Sequence, residues 1–152
     1  MAADKGTFSK KELKEVLKQE ITLIQDVIKR MASNSFMIKG WTVTVVAITL
    51  LLRGDRPVYA AVAFLPTLVF WGLDGYFLRQ EILYRKLYDW VIANRLTSAE
   101  SVYDLKPQTR FKSDVSSWLC VTFSGTLWPF YGMVLLLVVI YWIYSTIESI
   151  SF

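Results

Sequence analysis

The chain has 152 residues, 54% of them hydrophobic, with 17 basic and 13 acidic side chains and a net charge of +4. The apolar residues fall in runs, which places the chain in the membrane class, and the length is that of one domain. A single cysteine, Cys120, excludes an internal disulfide and a cysteine metal cluster. The absence of histidine removes the commonest metal ligand and the usual general base near neutral pH.

The first 20 residues are polar and rich in lysine, so no cleavable leader is expected. Residues 9–32 carry helix periodicity. Leu17, Ile21, Ile24, Ile28 and Met31 form the central stripe, and Leu13, Val16, Leu23 and Val27 widen it. Ser9 with Glu12 matches a capping box. The mixed Glu and Lys of the other face favour packing against protein, within the chain or in a coiled coil, over lying on lipid. Residues 1–35 are therefore assigned to a cytoplasmic amphipathic helix, and 36–152 to a transmembrane domain.

A first span is expected from Phe36 to Leu52, followed by a tight turn at Arg53–Pro57, "RGDRP". A second runs from Val58 to Leu78, with a kink possible at Pro66, and continues as a helix beyond the membrane to about Asn94–Leu96. A polar connection follows, so that residues 79–114 form a cytoplasmic, largely helical link. The third span lies within Val115–Tyr144. That stretch is long for one crossing, and its excess is absorbed by tilt, by a kink at Pro129, or by an interfacial first turn; a re-entrant break near "SGTLWP" is the less favoured alternative. The predicted fold class is thus all-α, with one amphipathic helix and three transmembrane helices, the second extended into the cytoplasm.

Basic residues set the orientation. Seven precede the first span and seven more lie between the second and third, against two in the outer turn, Arg53 and Arg56, and none after Tyr144. The N-terminus and the long connection are expected inside and the C-terminus outside. Trp41, Trp71 and Trp118 then fall towards the inner interface, and Tyr141, Trp142 and Tyr144 towards the outer one.

Two charges interrupt the spans. Lys39 and Asp74 fall at nearly the same depth on antiparallel helices, so they are expected to pair, within one chain or between two; independent snorkelling is the alternative, easier for Lys39 than for the shorter Asp74. Lys39, Thr42, Thr49 and Arg53 share one face of the first span. That stripe either lines a hydrated path at the axis of an oligomer or packs between helices, with threonines bonding back to their own carbonyls. Three crossings enclose little interior, which favours a closed homo-oligomer.

On the cytoplasmic side basic and aromatic residues interleave: Arg79, Tyr84, Arg85, Lys86, Trp90, Arg95, Arg110 and Lys112 are the candidate ligand-binding set, with Tyr88, Tyr103 and Phe111 among them. Cations neutralise phosphates and aromatic faces stack bases, so a nucleotide or single-stranded oligonucleotide suits this surface; topology and anionic lipid account for the same composition. No phosphate loop, nucleophile elbow or metal pair is present. Neither enzymatic activity nor a cofactor is expected.

The segments "RMASNSFMIKGW" and "FWGLDGYFLRQEILYRKLYDW" resemble the small membrane effectors encoded beside nucleotidyltransferases in bacterial anti-phage loci, of the HalA-like type in the Hailong system. The resemblance covers about the first two-thirds of the chain. It implies a homotetrameric ion channel of the bacterial inner membrane, held shut by a short DNA oligomer from the partner nucleotidyltransferase. Removal of the oligomer would open the channel, depolarise the cell and abort infection. It also implies that the cytoplasmic basic and aromatic residues are the regulatory site and the Lys39 stripe the conduction path. The alternative is a non-conducting adaptor that recruits a soluble partner through its N-terminal helix. A proton-coupled transporter using Asp74 has little support from three spans and one membrane acid.

Overall fold

The computed structural model describes residues 8–52, 61–99 and 101–150. Arg53 and the expected Arg53–Pro57 turn lie outside them. Five helices are described: α1 (Lys10–Leu51), α2 (Phe64–Asn94), α3 (Pro107–Phe111), α4 (Trp118–Thr122) and α5 (Trp128–Ile150). No strand occurs among the described residues.

The expected amphipathic helix and first span are one continuous helix, α1, of 42 residues. At about 1.5 Å per residue it is roughly 63 Å long, twice the hydrocarbon thickness of a bilayer. Its start is fixed by the capping box: the Ser9 N–H donates to Glu12 Oε2 at 2.7 Å and the Glu12 N–H to Ser9 Oγ at 3.3 Å. α2 begins at Phe64, so Pro66 sits in the first turn, where its missing N–H costs nothing, and not at a kink within a span.

The third segment is broken. Ser117 caps the short α4, its Oγ accepting from the Cys120 N–H at 3.4 Å. The chain then turns through Phe123–Leu127, where the Ser124 carbonyl accepts the N–H groups of both Leu127 and Trp128. α5 starts anew with Pro129 in its first turn. The segment is therefore two helices separated by a break at "FSGTL", and not one continuous tilted helix.

Two helices, α1 and α5, are long and apolar enough to cross a membrane. Within the described residues α2 falls short of that measure because only 15 residues, Phe64–Leu78, precede the polar run Arg79, Gln80 and Glu81.

The chain divides into two compact units, Met1–Met31 with Gln80–Val115, and Ala32–Arg79 with Ser116–Phe152. The first, more polar unit has a core of Ile24, Leu83, Leu87, Val91, Phe111 and Val115. The second, apolar unit has two core clusters. One joins Val46, Ala63, Val134 and Val138, and the other Trp71, Leu127 and Tyr131.

Within the apolar unit α4 lies against α2 at two glycines. Trp118 Nε1 donates to the Gly72 carbonyl at 2.9 Å and Trp71 Nε1 to the Thr122 carbonyl at 2.7 Å. A Cβ at Gly75 would collide with the Thr122 side chain and stand 3.0 Å from its Cα, so backbone as well as side chain would have to move. Gly75→Ala is therefore expected to cost about 1–3 kcal/mol as an overpacking change, read as a lowered thermal midpoint in detergent. Gly40→Ala, with open space around it, is the control and leaves the midpoint unchanged or slightly higher.

Candidate functional site

The apolar unit carries a polar cluster around Asp74, whose side chain is 0% exposed. Lys39 Nζ donates to Asp74 Oδ2 at 2.6 Å and to Ser35 Oγ at 2.8 Å. Ser35 Oγ donates to Asp74 Oδ1 at 2.5 Å, and the Tyr131 hydroxyl to Oδ2 at 3.0 Å. One carboxylate thus receives three donors from two other helices, with Ser35 and Lys39 one turn apart on α1 and Tyr131 on α5. The arrangement satisfies the condition under which a buried ion pair is tolerated: both oxygens are hydrogen-bonded and the countercharge is in contact.

Aromatic packing fixes this geometry. Trp71 lies one turn before Asp74 on α2 and stacks on the Tyr131 ring at 5.7 Å between centroids and 8° between planes. Phe123 meets Trp71 edge-on at 4.9 Å. The helix break therefore seats Phe123 and Trp128 around Trp71, which in turn stacks on the ring whose hydroxyl reaches Asp74. The signal for Ser35 was its i,i+4 spacing from Lys39. Tyr131 falls on one side with Ser117, Cys120, Ser124 and Trp128 if the helix is unbroken, which suggests helix packing; the break resets that register, so its bond to Asp74 was not legible.

The stripe on α1 does not face outward. Thr42 is fully buried and its hydroxyl bonds to the Ile38 carbonyl at 2.8 Å. Thr49 is half-buried and bonds to the Val45 carbonyl at 2.8 Å. Lys39 is 26% exposed. Thr42 and Thr49 thus bond back to their own helix carbonyls, and Lys39 turns to Asp74; Arg53 lies outside the described residues. The outward residues of the unit are apolar, among them Phe36, Trp41, Leu65, Leu136 and Ile147.

The polar unit holds a second buried ion pair. Arg95 and Glu20 are each 1% exposed, with Arg95 Nε 2.5 Å from Glu20 Oε2 and Nη2 2.9 Å from Oε1. The segment after α2 closes over them. Arg95 donates to the carbonyls of Ser98 and Ser101, the Tyr103 N–H donates to Glu20 Oε1 at 2.7 Å, and the Tyr103 hydroxyl donates to Gln19. Ser101 and Tyr103 adopt left-handed φ values of 53° and 60°, costly for residues with a Cβ. Glu20 falls on the line Leu13, Val16, Glu20, Ile24, and Arg95 on the line Leu83, Leu87, Val91, Arg95. A charge at a core position of each helix was the legible sign of the pair.

Arg95 is thereby removed from the ligand-binding set, since its guanidinium is buried and held in the protein. Tyr84 packs against the core of the polar unit. Arg85 pairs with Glu81 at 2.7 Å and lines a small recess with Gln25, Ile28, Tyr88 and Asp89. Arg110 lies over Trp90, its guanidinium carbon 3.9 Å from the ring centroid. Lys86 and Lys112 are exposed. Arg79 belongs to the apolar unit, where its Nε donates to the Ser116 carbonyl at 3.0 Å. No group of three or more metal-ligating side chains occurs among the described residues.

The chain matches no family model, no curated protein and no solved structure.

Proposed function

We propose that this chain is a membrane-embedded effector of bacterial anti-phage defence. In this reading it is an oligomeric ion channel, a tetramer, held shut by a nucleotide or short single-stranded DNA oligomer and depolarising the membrane when released. The chain crosses the inner membrane three times, with its N-terminus in the cytoplasm and its C-terminus outside. The observation that carries the proposal is the Asp74 cluster. Ionisable groups inside an apolar helical unit are costly and mark the working part of membrane proteins more often than their scaffold. Because the cluster closes on itself within one chain, it acts as a latch: the conducting state is reached when α1, α2 and α5 part around Asp74, and no stripe lines a standing pore.

The regulatory surface is then narrower than composition alone implies. Lys86, Arg110 and Lys112 remain exposed, with Trp90 beneath Arg110. A ligand that replaces Arg110 on the Trp90 ring with a stacked base while pairing its phosphate with the guanidinium fits this geometry. A gating ligand must bind the closed form more tightly than the open one.

Expression without a partner nucleotidyltransferase is expected to depolarise cells, followed with a potential-sensitive dye. Normal potential and growth at high expression contradict the channel reading. The apolar outward face of the unit favours one other reading, a non-conducting adaptor anchored by its spans. Purified protein in vesicles separates them: a channel passes ions once ligand is absent, and an adaptor never does.

A further inference from the structure

On the side of α2 away from Asp74, Leu68, Val69, Gly72, Leu73 and Tyr76 line, with Trp118, an apolar groove of about 490 Å³. The groove exists because position 72 has no side chain: a Cβ there would stand 3.2 Å from Trp118 Cζ2. The hydrogen bond from the Trp118 indole to the Gly72 carbonyl holds the ring at the groove edge. Arg79 follows Tyr76 by three residues, on the same face of α2. Its Nε is anchored on the Ser116 carbonyl, two residues before Trp118, while its two Nη groups have no partner among the described residues. The Tyr76 hydroxyl also has none there.

We infer that this groove holds an anionic phospholipid. One acyl chain lies over Gly72 between Tyr76 and Trp118, and the phosphate takes the two Nη groups of Arg79. The charge decides the occupant. An anchored guanidinium with open donors at the end of an apolar groove requires an anion with an apolar tail. A second copy docking side by side through the same unit brings no carboxylate to the level of Arg79: of its described acids, Asp74 is buried and paired, and Glu148 lies two turns beyond Tyr141, whose hydroxyl meets the Leu50 carbonyl at the end of α1 away from Lys39. The inference rests on the membrane placement proposed above, and not on conduction.

The test is quenching of tryptophan fluorescence in phosphatidylcholine vesicles containing brominated phosphatidylglycerol or brominated phosphatidylethanolamine. The difference between wild type and Trp118→Phe gives the Trp118 contribution. It is expected to be quenched at an about ten-fold lower mole fraction of the anionic lipid, the size of a charge-assisted hydrogen bond, and Arg79→Gln should abolish that preference. Native mass spectrometry of the wild type in mild detergent gives an independent readout, expected to show retained phosphatidylglycerol over phosphatidylethanolamine. Equal quenching by the two lipids, or a preference that survives Arg79→Gln, overturns the inference. So does a Trp118 silent to both lipids, with Tyr76→Cys forming disulfides between chains, which would put a second copy in the groove. If no tryptophan is quenched, the membrane placement itself fails, whereas loss of ion flux with quenching intact leaves this site standing and removes only the channel.

Discussion

Lys39→Met is expected to destabilise the apolar unit more than Asp74→Asn. Removing the ammonium leaves a fully buried carboxylate facing only two neutral hydroxyls, from Ser35 and Tyr131. Breaking a buried pair in this way costs about 3–5 kcal/mol, reduced where the stranded acid takes up a proton. Asp74→Asn is milder because Lys39 keeps its bond to Ser35, is partly exposed, and has a stem long enough to reach the headgroups. Its expected cost is about 1.5–3 kcal/mol, that of one hydrogen bond to a charged group. The double variant should be milder than the sum, with a coupling of about 1–3 kcal/mol, measured as denaturation in detergent. Strictly additive losses would mean that the two side chains do not interact.

Glu20→Ala should have a comparable effect on the polar unit, and a larger one than Arg95→Ala. The guanidinium does not give up its proton, so loss of Glu20 strands a buried cation without its carboxylate, although the carbonyls of Ser98 and Ser101 and the Trp90 ring stay beside it. The expected cost is about 3–5 kcal/mol. A stranded Glu20 can instead be neutralised and keeps the Tyr103 N–H. The left-handed residues Ser101 and Tyr103 lose their anchor when the carboxylate goes, so the segment should open and chymotrypsin should cut faster after Tyr103. Replacing Glu20 and Arg95 together with methionine should recover much of the stability and leave that cutting fast. Slow cutting in Glu20→Ala would show that the segment is held by something other than the pair.

Most of the helical organisation was legible because it follows from local rules. The capping box fixed the start of α1, the apolar runs located α1 and α5, and the depth match of Lys39 and Asp74 placed both charges at one level of the unit. What escaped was set by tertiary contacts. The break before α5 was among the sequence alternatives, but what selects it is the Thr122 carbonyl bonding to Trp71, a partner that spacing does not reveal. Arg95 was placed in the ligand-binding set and Glu20 fell among the charges of the N-terminal helix, because composition treats every charge as exposed, although each stands on a core line. On the face of α1 that carries Lys39, Thr42 and Thr49, spacing could not tell which neighbours cover it; Lys39 meets Asp74 of α2, and Val46 packs against Val134 and Val138 of α5.

The account stands on an odd number of crossings, although only α1 and α5 are long and apolar enough to cross by themselves. The most direct measurement is labelling of intact spheroplasts with an impermeant maleimide, using single cysteines at Lys10 and Ser149 in a Cys120→Ser background. Three crossings predict that position 149 is labelled at once and position 10 only after the membrane is permeabilised. Labelling of both positions from the same side would contradict the account.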